Sequence, residues 1–285
     1  MTEASARNER LERFYARGMP TVRIAVASTP LTATLEEAVP PALLAIAEAG
    51  KLGVRILCLP EAILPGHRMQ QRPVEEVTTD ALEAALEKVA AAARAARVVT
   101  LVGTERPTAD RRQLVQVVFD ENGNKLGEQI KTQVDPTEER IYAPGSQRHV
   151  FTAAGVTFGM AICHEVFRYP EISRALALAG AQIIFAPHFV NTRDGSLPTR
   201  WLDATSPYNE KALLCRALEN TVFVAAANTA SPIQGSASCI IAPDGALLAS
   251  VPYGQVGLAT ADIDTDRATR LIARRWAPER STPIV

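Results

Sequence analysis

Residues 155–174, with the sequence GVTFGMAICHEVFRYPEISR, decide the fold class of this chain. The stretch opens with strand-forming apolar residues, stops at Cys163, passes through a short polar turn and continues from Pro170 as a helical segment. Proline suits the first helical position, where its missing N–H would be unpaired anyway. The pattern therefore predicts a thiol at the carboxyl end of a strand, where ligands gather in sheets with helical connections.

A cysteine in this position has two interpretations. It is either a nucleophile presented at the end of a strand or an inert buried thiol, which is the commoner fate of a cysteine. This stretch alone does not distinguish the two interpretations, so evidence from the rest of the sequence is needed.

Composition narrows the class of protein. The chain has 285 residues, a formal net charge of -1, 47% hydrophobic and 21% charged residues, as in ordinary globular proteins. The balanced charge gives no support for a nucleic-acid partner or an acidic membrane surface. No apolar run approaches the roughly 20 residues that span a bilayer, so we expect no membrane partner.

The cysteines indicate a reducing compartment, and hence a cytoplasmic protein. The four cysteines lie far apart and include no C-x-x-C pair, which argues against a zinc knuckle or a disulfide framework. Cys58, Cys215 and Cys239 lie among apolar neighbours, which predicts that they fill the core.

The order of elements predicts an α/β fold. Strand–helix–strand units alternate with antiparallel hairpins in two similar halves, and an Asn122-Gly123 turn joins one hairpin. Helices over both faces of stacked sheets would bury the many Val, Ile and Ala residues. Residues 1–20 are charged and lack the apolar centre of a signal peptide. We expect an N-terminal charged arm over residues 1–20 and a single domain over residues 21–285.

Three reactive groups each follow an apolar strand: Glu61, Lys131 and Cys163. At matching sheet ends they can meet in one cleft. A carboxylate can take the proton of a thiol, and an ammonium can favour the thiolate and then stabilise an oxyanion. The protonated carboxyl can then protonate a leaving amine and activate water. Together the three form a complete set for hydrolysing a C–N bond.

Three motifs in this order resemble the nitrilase superfamily of carbon–nitrogen hydrolases. They are LCLPEAILPGH around Glu61, KTQVDPTEERIYAPG around Lys131, and GMAICHEVFRYPEISRALALAGAQIIFAPH around Cys163. The resemblance covers roughly residues 20 to 265. It implies a four-layer α-β-β-α sandwich, a homodimer or higher homo-oligomer, and no metal or organic cofactor.

The resemblance also implies residue roles. Glu61 is expected to be the general base and acid, Lys131 the oxyanion-stabilising lysine, and Cys163 the nucleophile. Glu138 falls where similar enzymes place a second glutamate, although a register error of one would select Glu139 instead. The backbone N–H of His164 is the expected second oxyanion donor.

The chain departs from the family pattern beside the nucleophile. Pro170 comes one position later than usual, and the Cys-Trp-Glu of true nitrilases is replaced by Cys163-His164-Glu165. The expected substrate is therefore a small amide or carbamoyl compound that is cleaved through a thioester, with release of ammonia or amine. A nitrile substrate and a catalytically silent binding or regulatory module of the same fold remain alternatives.

Several other polar residues have competing interpretations. H-E-x-x-H is absent after His164, so a zinc site is disfavoured. His188 ends a strand and can face the cleft, or pair with the thiol as in a cysteine protease. Arg193, in a long polar loop, is either a ligand for a substrate carboxylate or solvated. His67 and His149 are expected at the surface or in loops.

Overall fold

The computed structural model of the protein describes residues 21–70, 72–205 and 208–280. The charged arm expected over residues 1–20 lies outside the described residues, so the boundary between arm and domain stays a prediction. Within the described residues, no helix combines the length and the apolar character needed to cross a membrane.

The strands follow the predicted order, with some differences at their ends. The bounds are β1 Thr21–Pro30, β2 Ile56–Cys58, β3 Val99–Pro107, β4 Arg112–Phe119, β5 Lys125–Ile130, β6 Val150–Ala153, β7 Val156–Met160, β8 Ile183–Pro187, β9 Phe223–Ala227, β10 Thr229–Ala230, β11 Cys239–Ile241, β12 Leu247–Ser250 and β13 Gly257–Asp264. The Asn122-Gly123 hairpin is confirmed, because β4 and β5 pair antiparallel and Gly123 has a φ of 79°.

The helices lie between strands or after the last strand. Their bounds are α1 Leu35–Lys51, α2 Thr79–Ala96, α3 His164–Arg168, α4 Pro170–Leu178, α5 Asn209–Asn220 and α6 Leu271–Arg275. The side chains of Thr34 and Thr78 cap α1 and α2 by accepting a backbone N–H from the first turn. Pro170 opens α4 as predicted, but α3 replaces the short polar turn expected after Cys163. After β13, a 3₁₀ turn over Thr265–Arg267 precedes α6.

Two sheets form the centre of the fold. The first has seven strands in the order β10-β1-β2-β3-β4-β5, with β13 also paired to β1. The second has six strands in the order β12-β11-β9-β8-β7-β6. In each sheet three neighbouring strands run parallel, β1-β2-β3 and β7-β8-β9, so their carboxyl ends meet at one edge.

Three apolar layers hold the sheets and helices together. The layer between the sheets contains Phe158 and Phe185, whose rings meet edge-on with centroids 5.4 Å apart. A second layer joins the first sheet to α1 and α2, and a third joins the other sheet to α4, α5 and α6. The protein is therefore the predicted four-layer α-β-β-α sandwich.

The cysteines are free thiols, and the core prediction holds for two of the three that we assigned to the core. Cys58 and Cys239 are buried, whereas Cys215 is exposed. The prediction for Cys215 was wrong because α5 turns Leu213 and Ala217 toward the core, and Cys215 lies off that face.

Candidate active site

The turn after β2 places Glu61 beneath the cavity. Glu61 follows Pro60 at the carboxyl end of the strand, and the next residue, Ala62, has a φ of 48°. Gly103 on β3 packs against this turn, where a Cβ would come within 2.2 Å of the Pro60 carbonyl oxygen. Only glycine leaves room for this approach, and the Glu61 side chain is 1% exposed.

The end of β5 places Lys131 against the same turn. Its backbone N–H donates to the Leu114 carbonyl at 2.9 Å, and its carbonyl accepts the Gly145 N–H at 2.8 Å. Its side chain is fully buried. A buried ammonium requires charged partners, because an isolated charge in the interior is very costly.

Cys163 lies on a strained turn between β7 and α3. Its φ of 49° and ψ of −109° are unusual for a residue with a side chain. Its N–H donates to the Pro187 carbonyl at 2.9 Å, which ties the turn to the end of the neighbouring strand β8. The residue is 7% exposed and its side chain lines a pocket of about 900 Å³.

Lys131 joins two carboxylates. Its Nζ lies 2.9 Å from Glu61 Oε1 and 2.8 Å from Glu138 Oε2. Glu61 Oε2 also accepts the Phe189 N–H at 3.2 Å, and Glu138 Oε2 accepts the Asp135 N–H at 3.2 Å. Glu139 is exposed, so it is Glu138 that contacts the lysine.

The backbone of Phe189 connects this cluster to the thiol. Its N–H binds Glu61, and its carbonyl lies 3.9 Å from the Cys163 Sγ. The structure thus brings Glu61, Lys131, Glu138 and Cys163 to one side of the molecule, with Cys163 and Glu138 lining the pocket.

Charges in the cluster shift three pKa values. Burial raises the pKa of the Cys163 thiol well above its ordinary value, Glu61 raises it further, and Lys131 opposes both. Burial opposes the charge on Lys131, but Glu61, Cys163 and Glu138 raise its pKa overall. Burial likewise disfavours the Glu138 carboxylate, yet Lys131 and His67 hold its pKa well below the ordinary range. The resting cluster therefore holds an ammonium, an ionised Glu138 and a neutral thiol.

His67 belongs to this cluster, which the sequence did not indicate. It is in a loop as expected, but it is not at the surface, because only 2% of it is exposed. Its Nε2 lies 3.3 Å from Glu138 Oε1 and 3.7 Å from Glu61 Oε2, and its ring stacks on Phe189 at 4.6 Å. A single histidine in an irregular loop carries no periodic signal of burial. His149, by contrast, is exposed as predicted.

A further buried carboxylate, Glu165, lies two residues after the nucleophile. Its Oε1 accepts the backbone N–H and the hydroxyl of Thr132, each at 2.7 Å, and a guanidinium N–H of Arg148 at 2.7 Å. Its Oε2 accepts the Ile162 N–H at 2.7 Å. Glu165 therefore joins the turn at Cys163 to the segment that follows Lys131.

His164 is the first residue of α3, so its N–H lies in the first turn of that helix. Its side chain lines the pocket, where Nδ1 is 2.9 Å from Asp135 Oδ2. Burial lowers the pKa of His164, and the charge of Asp135 opposes that shift. The contact links the nucleophile turn to the Glu138 loop.

Arg193 and His188 lie at different depths. Arg193 is exposed and lines the pocket, within the polar loop that the sequence singled out. His188 is fully buried, its Nδ1 is 2.8 Å from the Ala186 carbonyl, and its ring meets Phe167 edge-on. Burial lowers the pKa of His188 to about 4. Among the described residues, Arg193 lines the pocket and His188 does not.

The oxygen and nitrogen atoms of Glu61, His67 and Glu138 lie close enough together to form a cation site. The ammonium of Lys131 already binds both carboxylates, so a metal ion would have to compete with that fixed positive charge. The arrangement fits an ammonium-centred site better than a metal centre.

Comparison with known proteins identifies the family. The carbon–nitrogen hydrolase family model matches residues 23–273. A protein of Pyrococcus abyssi described as a nitrilase is 28% identical over 243 residues, which is 79% of this chain and 84% of that protein. An (R)-stereoselective amidase of a Pseudomonas species is 29% identical over 126 residues, 44% of this chain and 40% of its own length.

Solved structures agree on the fold. An amidase from a Nesterenkonia species superposes with a TM-score of 0.75 at 24% identity, covering 92% of this chain and 95% of the other. The fold and the site define an α-β-β-α sandwich with a buried Lys–Glu–Glu cluster beside a cysteine. The chain belongs to the carbon–nitrogen hydrolase family.

Proposed function

We propose that the protein hydrolyses the C–N bond of a small amide or carbamoyl compound through a Cys163 thioester and releases ammonia or an amine. One observation carries the proposal: the Lys131 ammonium holds Glu61 and Glu138 at 2.9 and 2.8 Å beside a pocket that the Cys163 thiol lines. Membership of the carbon–nitrogen hydrolase family supports the reaction class.

The first half of the reaction forms the thioester. Because the pKa of Cys163 is raised, the thiol needs a base at the moment of attack. Glu61 takes the thiol proton as the sulfur forms a bond with the carbonyl carbon. The Lys131 ammonium and the His164 N–H stabilise the oxyanion. Glu61 then returns the proton to the nitrogen, the C–N bond breaks, and the amine leaves.

The second half regenerates the enzyme. Glu61 takes a proton from water as the water oxygen attacks the thioester carbon. The C–S bond then breaks, the proton passes to the sulfur, and the carboxylic acid is released. Glu138 stays ionised throughout, because its low pKa depends on Lys131, and it orients the ammonium.

The alternative substrate is a nitrile, which the Pyrococcus abyssi relative supports by its description. The missing tryptophan after Cys163 favours the amide. An ammonia-release screen of ω-amides of dicarboxylic acids, N-carbamoyl compounds, aliphatic amides and nitriles decides between them. We expect release from at least one of the first three groups, and none from Cys163→Ala. Turnover confined to nitriles would overturn the amide assignment.

A binding or regulatory module without turnover is the third possibility. Labelling with iodoacetamide separates it from an enzyme. In an enzyme Glu61 takes the proton of the neutral Cys163 thiol as the sulfur attacks, so we expect Cys163 to react far faster than Cys58, Cys215 and Cys239. The exposed Cys215 is the internal reference for an ordinary accessible thiol. Rates at Cys163 no faster than at Cys215, together with no ammonia release, would favour the silent module.

We further propose a cytoplasmic homodimer or larger homo-oligomer, without nucleic-acid or membrane partners and without a cofactor. The four free thiols suit a reducing compartment, and the family resemblance favours two-fold packing. Light scattering coupled to size-exclusion chromatography measures the oligomer directly, and a monomer at micromolar concentration would contradict the proposal.

A further inference from the structure

The hydrogen-bond pattern of the Lys131 cluster leaves one carboxylate oxygen that depends on His67. Glu61 Oε1 and Glu138 Oε2 bind the ammonium, and Glu61 Oε2 accepts the Phe189 N–H. The remaining oxygen, Glu138 Oε1, faces the His67 Nε2 at 3.3 Å.

The backbone fixes the tautomer of His67. Its Nδ1 accepts the Met69 N–H at 3.2 Å, so a neutral imidazole carries its proton on Nε2. The Nε2–H therefore points toward the two carboxylates as a donor. Within the described part of the chain, Nε2 is buried and has no hydrogen-bond partner, so its contact with Glu138 Oε1 is a close approach of two polar atoms at 3.3 Å.

Packing holds the imidazole in this place. One face stacks on Phe189 at 4.6 Å, and Tyr142 lies at 6.0 Å. The neighbouring Arg68 is turned away, with its guanidinium bound to Glu105 and Glu76. The charged groups that face His67 are therefore Glu61 and Glu138, with Lys131 behind them.

We infer that His67 is a positioning residue that holds Glu138 in its ionised, lysine-bound orientation and thereby reserves Glu61 for proton transfer. The inference rests on the proposed function. The Nε2–H stabilises Glu138 Oε1, so that Glu138 keeps its charge while Glu61 gains and loses the reaction proton. Lys131 then stays directed at the oxyanion during both half-reactions.

Three substitutions at His67 separate the effect of losing the Nε2–H donor from the effect of losing the aromatic ring. His67→Phe keeps the stacking on Phe189 but removes the donor. His67→Gln places an amide N–H near the position of Nε2, and His67→Asn, which is one carbon shorter, places it near Nδ1. We expect kcat to fall about tenfold to a hundredfold in the Phe and Asn variants, as for the loss of one hydrogen bond to a charged group. We expect recovery to within about fivefold in the Gln variant, with KM changed less than about threefold throughout.

The pH profile supplies a readout that packing alone does not move. Without the donor, Glu138 holds its charge less firmly, so the acid limb of the kcat profile moves to higher pH in His67→Phe and returns in His67→Gln. Equal losses in the Phe and Gln variants, or wild-type kcat in the Phe variant, would overturn the inference. These outcomes leave the wild-type reaction intact and so do not touch the proposed function.

If no amide in the screen is cleaved, an NMR measurement that needs no turnover tests the same contact between His67 and Glu138. The ¹⁵N spectrum of histidine-labelled protein has four imidazoles to assign, and His67→Gln identifies the signal of His67. We expect a proton on Nε2 and none on Nδ1, with an Nε2 chemical shift that changes in Glu138→Gln and does not change in Glu139→Gln. A proton on Nδ1, or no response to Glu138→Gln, would overturn the inference.

Discussion

Two buried carboxylates flank the nucleophile and differ in how they are bound. Glu61 and Glu165 have side chains that are at most 1% exposed, and each contacts a cation. Glu165 accepts N–H groups from three backbone positions, a threonine hydroxyl and a guanidinium. Glu61 accepts one ammonium and one backbone N–H.

The difference separates a structural carboxylate from a reactive one. Fixed donors occupy both oxygens of Glu165, which leaves little room for a reacting proton. Glu61 has fewer donors and lies next to a thiol whose pKa is raised, so a proton can move between them. Burial and a cationic partner are therefore not sufficient to mark a catalytic acid.

The largest effect we expect is the loss of turnover in Glu61→Gln. The amide cannot take the thiol proton, so kcat/KM should fall by about a thousandfold or more. The fold should survive, because the amide oxygen can still accept from Lys131. Ammonia release and the thermal unfolding midpoint are measured together. Activity within tenfold of wild type would contradict the role of Glu61.

Glu138→Gln should have a smaller effect on the same cluster. Lys131 keeps Glu61 but loses its second carboxylate, and we expect kcat to fall by about tenfold to a hundredfold. Glu139→Gln is the matched control, since that neighbour is exposed and does not contact the lysine. Similar losses in both variants would show that charge near the pocket, and not contact with Lys131, matters.

Glu165→Gln should act mainly on stability. Its amide nitrogen would meet N–H donors, leaving Arg148 and several backbone groups poorly paired. We expect a loss of about 3 kcal/mol in the free energy of unfolding and a midpoint lower by about 5–10 °C. Glu128→Gln, at a half-buried surface pair on β5, is the control and should cost under about 1 kcal/mol. A melting point unchanged in Glu165→Gln would remove the contrast with Glu61.

The sequence predicted the parts of this comparison that follow from strand ends. Lys131 directly follows β5, and Glu61 and Cys163 each lie three residues beyond the ends of β2 and β7. Both of these strands pair parallel with a neighbour, as the strand–helix–strand alternation implied. The resemblance of the motif around Lys131 to the family pattern then indicated Glu138 as a further site residue. The alternation of helices and strands indicated helices over both faces of stacked sheets, and the family resemblance implied the four-layer arrangement.

The remaining contacts depend on loops whose course no periodicity specifies. Arg148 reaches Glu165 from 17 positions away, and His67 folds inward between Glu61 and Glu138. Asn228 binds the backbone of Val190 and so fixes the pocket loop. These are tertiary hydrogen bonds between polar residues that look alike in a sequence whether they are buried or solvated.

Replacing Glu61 should lower the pKa of the Cys163 thiol, although the same substitution abolishes turnover. Burial and then the negative charge of Glu61 raise the pKa of Cys163, so removing that charge lowers it toward the ordinary value. In Glu61→Gln the midpoint of iodoacetamide alkylation at Cys163 should therefore move to lower pH, although hydrolysis is lost. Cys215 serves as the reference thiol. A midpoint that moves to higher pH would show that Glu61 assists ionisation without accepting the proton.

The smallest effect we expect is at the pocket rim, outside both carboxylate clusters. Arg193 is exposed, and an exposed ion pair contributes little because water and salt screen it. If Arg193 binds a substrate carboxylate, Arg193→Ala should raise KM about twofold to fivefold for an amide that carries one, and leave a neutral amide unchanged. Arg200→Ala is the matched control on the same loop, where Arg200 lies 3.6 Å from Asp203 and is 74% exposed. Equal KM changes for both substrates would show that Arg193 affects the shape of the rim and does not bind the substrate carboxylate. That outcome would not change the roles assigned to the clusters around Lys131 and Glu165.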